Sequence, residues 1–211
     1  AQGYANTAEI RQPLGEAHFF RAWNYFFLVQ KFGDVILVDH SLDTDDPLMS
    51  APRNDRGEVI DFVIEDLRKA IGYLKSVSDI EEGRVGTEAA SAFLSRVALY
   101  EGTWQKFRGN EARANQLLDI AAKAAKDVID SKKFEIFEPD ALGDDAYRYM
   151  FILETGAKCN PAGLDKKANK EYIIKRCYDI TLKTSGQNLT TTALANAWFG
   201  TCLLYTSPSP R

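Results

Sequence analysis

Hydrophobic residues recur at three- and four-residue steps along most of the chain, which is the spacing of one face of an α-helix. The pattern predicts four long helices, over about residues 7–32, 58–77, 88–107 and 110–131. The first becomes apolar nearly all round in its second half, which predicts deep burial of that half. The second has the clearest apolar stripe, formed by Val59, Phe62, Val63, Leu67, Ala70, Ile71 and Leu74.

Residues at the helix ends predict how each helix begins and turns. Asp55, with Glu58 three residues later, is typical of a capping box that satisfies free amides of the first turn. Thr87 is the expected N-cap of the third helix. Because only a short break at Arg108 and Gly109 separates the third and fourth helices, we expect an antiparallel hairpin. The inward face of the third helix is expected to carry Ala90, Phe93, Leu94, Val97, Tyr100, Glu101 and Trp104. That of the fourth is expected to carry Ala114, Leu117, Leu118, Ala121, Ala124, Ala125, Val128 and Ile129.

The remaining segments have weaker patterns. Residues 33–39, 134–137 and 172–177 are interpreted as short extended pieces, and 146–153 as a helical turn packed by Tyr147, Tyr149 and Phe151. Residues 160–170 are expected to form a polar loop, and 193–199 the start of a further helix. Helical hairpins in series favour a tetratricopeptide-like arrangement, although these helices exceed a repeat of about 34 residues. The predicted fold is mostly α, with tetratricopeptide-like helical hairpins and a few short extended segments.

Composition excludes several kinds of partner. The 211 residues carry a net charge of −4, with Lys and Arg scattered among the acids rather than gathered in a basic stripe, so we expect no nucleic-acid partner. The richest apolar stretch, residues 19–29, is interrupted by Arg21 and Asn24 and is shorter than the roughly 18–20 residues of a membrane span.

The cysteines and histidines fit no metal-binding pattern. Cys159, Cys177 and Cys202 form no CxxC motif, and His18 and His40 are the only histidines, so no metal site or cofactor is expected. A Cys159–Cys177 disulfide stays open, because pairing cannot be read from sequence.

No catalytic constellation emerges. The acidic pairs at residues 45–46, 81–82 and 144–145 lie in polar loops, whereas a glycosidase needs two carboxylates that converge across a cleft. The loop at 43–46 lacks the spacing and glycine of an EF-hand, and GxSxG, HExxH and phosphate-loop motifs are absent from the sequence. We therefore assign no catalytic residue and expect a protein that is not an enzyme.

Tryptophan and arginine supply the remaining candidate residues. The indole of Trp104, at the end of the third helix, is a candidate for stacking on a pyranose ring, and helix-end packing is the alternative. Trp23 is interpreted as a core residue, and Trp198 is left unassigned. Arg21 and Arg96 interrupt apolar faces, which favours structural ion pairs, because an unpaired buried guanidinium is costly.

Four sequence blocks, in order, resemble the SusD/RagB family. They are EAHFFRAWNYFFLVQKFGDVIL at 16–37, RGEVIDFVIEDL at 56–67, GRVGTEAASAFLSRVALYEGTW at 83–104 and NKEYII at 169–174. Ile36 replaces the usual proline of the first block, and Gly86 stands where the third has threonine. Since the family's chains are much longer, residues 1–201 are interpreted as the amino-terminal to middle part of a SusD-like domain, and 202–211 as a non-native tail.

The resemblance implies a surface-exposed lipoprotein of the outer membrane that captures oligosaccharides or other nutrients. It further implies handover to a TonB-dependent transporter of the SusC type, with the lipid anchor and much of the ligand surface outside this chain. The main alternative is a cytosolic helical-repeat scaffold for protein–protein interaction, and an α-helical glycosidase is a third hypothesis. A lipoprotein signal in the complete gene would distinguish the first from the second.

Overall fold

A computed structural model describes residues 8–152, 164 and 169–175. Within them lie five α-helices: α1 (Ala8–Phe32), α2 (Arg56–Tyr73), α3 (Thr87–Lys106), α4 (Glu111–Asp130) and α5 (Ala146–Ile152). Short 3-10 helices occupy Pro47–Ser50, Val77–Asp79 and Gly143–Asp145. The predicted mostly-α hairpin architecture is confirmed. The extended segment after α1 forms one isolated antiparallel bridge, between Val35 and Asn54, and the described residues contain no longer strand.

Of the two predicted N-caps, Asp55 is confirmed and Thr87 is not. Asp55 caps α2, accepting from the amide of Gly57 at 2.7 Å, and Asn110 caps α4. The prediction of Thr87 as the N-cap of α3 is wrong. Gly86 holds that position without a side-chain bond, and the Thr87 hydroxyl donates instead to the carbonyl of Leu74 at 2.8 Å. The second helix is also shorter than predicted, ending at Tyr73 rather than near residue 77.

The core lies between α1, α2 and α3 and is rich in aromatic rings. Phe93 of α3 meets Phe19 and Phe26 of α1, each with ring centres 5.6 Å apart. Phe26 also makes an edge contact with Tyr100 at 5.4 Å. These edge and tilted geometries suit the ring quadrupoles and fix how α3 lies on α1. The α2 stripe completes the core with the fully buried Val59, Ile60, Val63, Leu67 and Ala70.

A buried carboxylate joins α1 to α2. Asp66 is 1% exposed and accepts two hydrogen bonds from Arg21, from Nε at 2.6 Å and from Nη2 at 2.7 Å. Nδ1 of His18 lies 2.8 Å from the same carboxylate. The ion pair expected for Arg21 is therefore confirmed, whereas Arg96 is exposed and has no ion-pair partner among the described residues.

The α3–α4 hairpin turns at Gly109, which has a φ of 79°. Close approach of the two helices depends on Gly102, since a Cβ there would lie 3.1 Å from Leu118 and 3.3 Å from Leu117. Across the same interface the hydroxyl of Ser95 donates to the carbonyl of Ala121 at 2.8 Å. The predicted antiparallel hairpin is confirmed, but Ile129 at its far end is 73% exposed rather than inward-facing.

Glu88, in the first turn of α3, forms a second buried polar cluster. Its carboxylate accepts from the Ser76 hydroxyl at 2.7 Å, the Val77 amide at 2.9 Å and Lys133 Nζ at 2.6 Å. Burial by itself would raise the pKa of Glu88, but these donors outweigh it and lower the pKa from 4.5 to about 2. This Glu88 cluster ties the α2–α3 connection to the segment that follows α4.

Burial of the second half of α1 differs from the sequence expectation. Trp23, predicted as a core residue, is 40% exposed, with Phe20 at 51% and Phe27 at 53% beside it. Trp23 stacks on Phe93 with ring centres 4.6 Å apart and planes 20° apart. We call Phe20, Trp23 and Phe27 the α1 aromatic face. Its exposure shows that only one side of this helix meets α2 and α3.

Several expectations concern the later part of the chain. In α5, Tyr149 is half-buried whereas Tyr147, expected to pack the turn, is 72% exposed. The three cysteines, Trp198, the helix expected at 193–199 and the tail 202–211 lie outside the described residues. So do the side chain of Phe151 and most of the loop at 160–170. Among the helices described, none is long and apolar enough to span a membrane.

Candidate carbohydrate-contact site

Trp104 lies in the last turn of α3 and is half-buried. The guanidinium carbon of Arg108 is 3.3 Å from its ring centre, and that of Arg56 is 4.0 Å away. Two guanidinium groups this close to one ring centre would overlap if they shared a face, so they lie on opposite faces. The indole is therefore enclosed between two cations, and a sugar could stack on it only by displacing one of them.

The Arg56 side of the ring is rigid. Arg56 is 11% exposed in its side chain, and its Nε donates at 2.8 Å to Glu101, which is 1% exposed. Glu101 is held in turn by Gln105, whose Nε2 donates to it at 2.8 Å. Arg56 Nη2 is buried and has no hydrogen-bond acceptor among the described residues. Removing Arg56 from Glu101 would leave a buried carboxylate without its charge partner, so this side of the indole is closed.

The Arg108 side of the ring is open by comparison. Arg108 follows the end of α3 and is exposed. Its one side-chain hydrogen bond to a described residue is long, from Nη1 to the carbonyl of Trp104 at 3.4 Å. A cation over an exposed aromatic ring contributes only about 0.5–1 kcal/mol. The outer face of Trp104 is thus covered by one weakly held side chain.

Trp104 and its neighbour Arg108 were recognised from the sequence, but the stacking of Arg108 on the ring and the presence of Arg56 were not. Arg108 follows Trp104 by four residues, the spacing that brings side chains together on a helix, so this signal was present in the sequence. Arg56 comes from the start of α2, and only the packing of α2 against α3 brings it to the indole. The α1 aromatic face is the second exposed aromatic surface, and Trp23 was misjudged as core.

Of the acidic pairs, the one at residues 45–46 contributes Asp46 to a surface hydrogen-bond cluster. Asp46 accepts from the amide of Leu48 at 2.8 Å and from His40 Nε2 at 2.8 Å, and both bonds lower its pKa. Hydrogen bonds to Asp39 and Asp46 raise the pKa of His40. This surface cluster orders the loop that precedes the first 3-10 helix. Across the described residues, no three His, Cys, Asp or Glu side chains are grouped to hold a metal ion.

The NKEYII block packs beside a cleft of about 320 Å³ lined by residues 135–139, Leu164 and Lys170. Oδ1 of Asn169 accepts from the amide of Glu171 at 2.9 Å, and Glu171 accepts from the amide of Phe137 at 3.0 Å. Lys170 pairs with Glu135 at 2.9 Å. Asn169 therefore shapes its own segment, whereas Glu171 and Lys170 dock that segment onto the one at 135–137, and both roles are structural.

A comparison with protein-family models matches residues 2–99 to a SusD-like family described as starch-binding and associating with the outer membrane. A SusD-like protein of Bacteroides ovatus is 30% identical over 136 residues, which are 64% of this chain and 24% of that protein. The family-model match therefore covers α1, α2 and most of α3.

Comparison with solved structures also finds SusD-like proteins, and it shows that they share the fold of this chain. A SusD-like protein of Bacteroides fragilis NCTC 9343 is 30% identical, with a TM-score of 0.61 over 82% of this chain and 28% of its own. Another structure, solved with a xylogluco-oligosaccharide, is 24% identical with a TM-score of 0.60 over 82% of this chain and 30% of its own, and supports the fold alone. The helical-hairpin scaffold is thus one already known, and the chain is similar to SusD-like proteins over the parts that match. It spans about a quarter of the length of the relatives that it matches.

Proposed function

We propose that this chain is part of a non-catalytic oligosaccharide-binding component of an outer-membrane uptake complex. The observation that carries the proposal is the match of residues 2–99 to a family described as starch-binding and associating with the outer membrane. The helical hairpins supply a scaffold, and exposed aromatic rings supply surfaces suited to the apolar faces of sugars. In this proposal residues 1–201 form the amino-terminal to middle part of a longer protein, and the tail 202–211 is non-native.

In the proposed mechanism, binding is followed by transfer. Oligosaccharide is captured weakly through aromatic stacking and hydrogen bonds, and is then passed to a SusC-like TonB-dependent transporter. A lipid anchor outside this chain would hold the protein at the cell surface. Weak capture suits such a role, because a ligand that binds very tightly is released slowly.

The proposal is tested by probing the purified chain on an array of starch-derived, xyloglucan-derived and other plant and host oligosaccharides. We expect binding to at least one class of glycan, with no cleavage of the bound sugar when the supernatant is analysed by chromatography. Hydrolysed product would contradict the non-catalytic assignment. Absence of binding to every glycan, together with pull-down of cytosolic proteins and no TonB-dependent transporter, would favour the helical scaffold instead.

A further inference from the structure

We propose that the outer face of the Trp104 indole is a pyranose-stacking subsite, and that Arg108 covers it until a sugar displaces the guanidinium. The inference rests on the proposed oligosaccharide-binding function. It adds to that function the position of one ligand contact and the side chain that controls access to it.

The two faces of the indole are held very differently. Arg56 is fixed beneath the ring by its ion pair with Glu101, which is almost completely buried. Arg108 lies at the surface beyond the end of α3, and the long bond to the Trp104 carbonyl is its one side-chain hydrogen bond to a described residue. Gly109, which follows it, has a φ of 79° and turns the backbone away from the helix. Displacing Arg108 therefore breaks little besides its stacking on the ring.

Electrostatics favours exchange of Arg108 for a neutral group. The guanidinium carbons lie 3.3 and 4.0 Å from one ring centre, so they are at most about 7.3 Å apart. Two like charges at that distance repel each other, although Glu101 offsets part of the charge of Arg56. Both cations are also attracted by the quadrupole of the same ring. A pyranose ring presents weakly polarised C–H groups to an aromatic face and carries no net charge, so it can occupy the outer face without this repulsion.

The chemical class of ligand follows from this geometry. A flat, half-buried indole face suits a neutral sugar ring, which stacks on it through C–H groups once Arg108 has moved away. The subsite is therefore a single-ring contact within a longer oligosaccharide surface.

The test measures the affinity of the full chain for maltoheptaose by isothermal titration, for the wild type and three variants. Arg108→Ala uncovers the indole, and we expect about two- to fivefold tighter binding, which corresponds to the stacking that the sugar no longer has to displace. Trp104→Ala removes the platform and should weaken binding about two- to tenfold. Arg96→Ala is the matched control, because it removes an exposed arginine of α3, the helix that carries Trp104, and this arginine covers no described ring; it should leave the affinity unchanged.

The possible results distinguish failure of the Trp104 subsite from failure of the proposed oligosaccharide-binding function. Maltoheptaose binding that neither Arg108→Ala nor Trp104→Ala alters would overturn the subsite and leave the proposed function intact. Weaker binding by Arg108→Ala would also overturn it, since Arg108 would then be a ligand contact rather than a cover. Failure of all variants to bind maltoheptaose would overturn the subsite and count against the proposed function. Should Trp104→Ala lose its helical circular dichroism, Trp104→Phe replaces it, with a smaller loss expected.

Discussion

Replacing Glu88 by glutamine should destabilise the fold in a pH-dependent way, because the Glu88 cluster depends on one negative charge. The free carboxyl has a pKa of 4.5, and in the folded chain its pKa is about 2. A difference of this size corresponds to about 3 kcal/mol of stability at neutral pH. The lowered pKa means that this stability is fully present above pH 4.5 and is lost as the pH falls towards 2. Glutamine keeps the shape of the side chain and removes the charge opposite Lys133.

Urea unfolding followed by circular dichroism measures the effect at two pH values. At pH 7 we expect Glu88→Gln to lower the free energy of unfolding by about 3 kcal/mol. At pH 3 the wild-type carboxyl has already lost about 2 kcal/mol of that contribution, so the difference between the two proteins should fall to about 1 kcal/mol. The control is Glu65→Gln, which breaks an exposed pair with Lys69 and should change stability by less than about 1 kcal/mol at either pH. A loss for Glu88→Gln that is equal at pH 7 and pH 3 would refute the reasoning.

Three further predictions concern packing and the exposed surface. Asp66→Asn should destabilise the chain by about 3 kcal/mol in thermal or urea unfolding, because it leaves a guanidinium without its buried counter-charge; no change would contradict the role of this pair. Gly102→Ala should destabilise by about 1–3 kcal/mol through overpacking, whereas Gly72→Ala, where a Cβ meets nothing within 4 Å, should stabilise by about 0.5–1 kcal/mol. The double change Phe20→Ser with Phe27→Ser should reduce self-association of the isolated chain in analytical ultracentrifugation, and an unchanged sedimentation profile would show that the α1 aromatic face is not adhesive.

Helices were predictable because their signal is local. The apolar stripe of α2 and the alanine-rich face of α4 repeat every three or four residues, and their inward residues are mostly buried as expected. The exceptions are residues whose exposure or hydrogen bonding is set by tertiary contacts. Ile129 continues the stripe of α4 but extends past the part of the hairpin that is covered, and Thr87 bonds to Leu74 because the α2–α3 connection passes close to it.

Burial of the aromatic residues was less predictable. The second half of α1 is apolar nearly all round, and hydrophobicity alone indicates that such a helix is buried on every side. Partners far away in sequence, above all Phe93, determine which side of α1 meets α2 and α3. Trp23 was therefore predicted to lie in the core, although it is 40% exposed. The same limit applies to the candidate site. The pairing of Arg56 with Glu101 beneath Trp104 joins two different helices and leaves no local pattern to detect.

The most direct test of the central proposal, that this chain binds oligosaccharide at Trp104, uses the indole N–H signals of its three tryptophans. Single Trp→Phe variants assign the signals of Trp23, Trp104 and Trp198 in a two-dimensional ¹H–¹⁵N spectrum, and maltoheptaose is then titrated into the wild-type chain. We expect a saturable shift of the Trp104 signal that exceeds the shifts of the other two. A spectrum in which maltoheptaose moves no indole signal, or moves the others and leaves Trp104 in place, would contradict it.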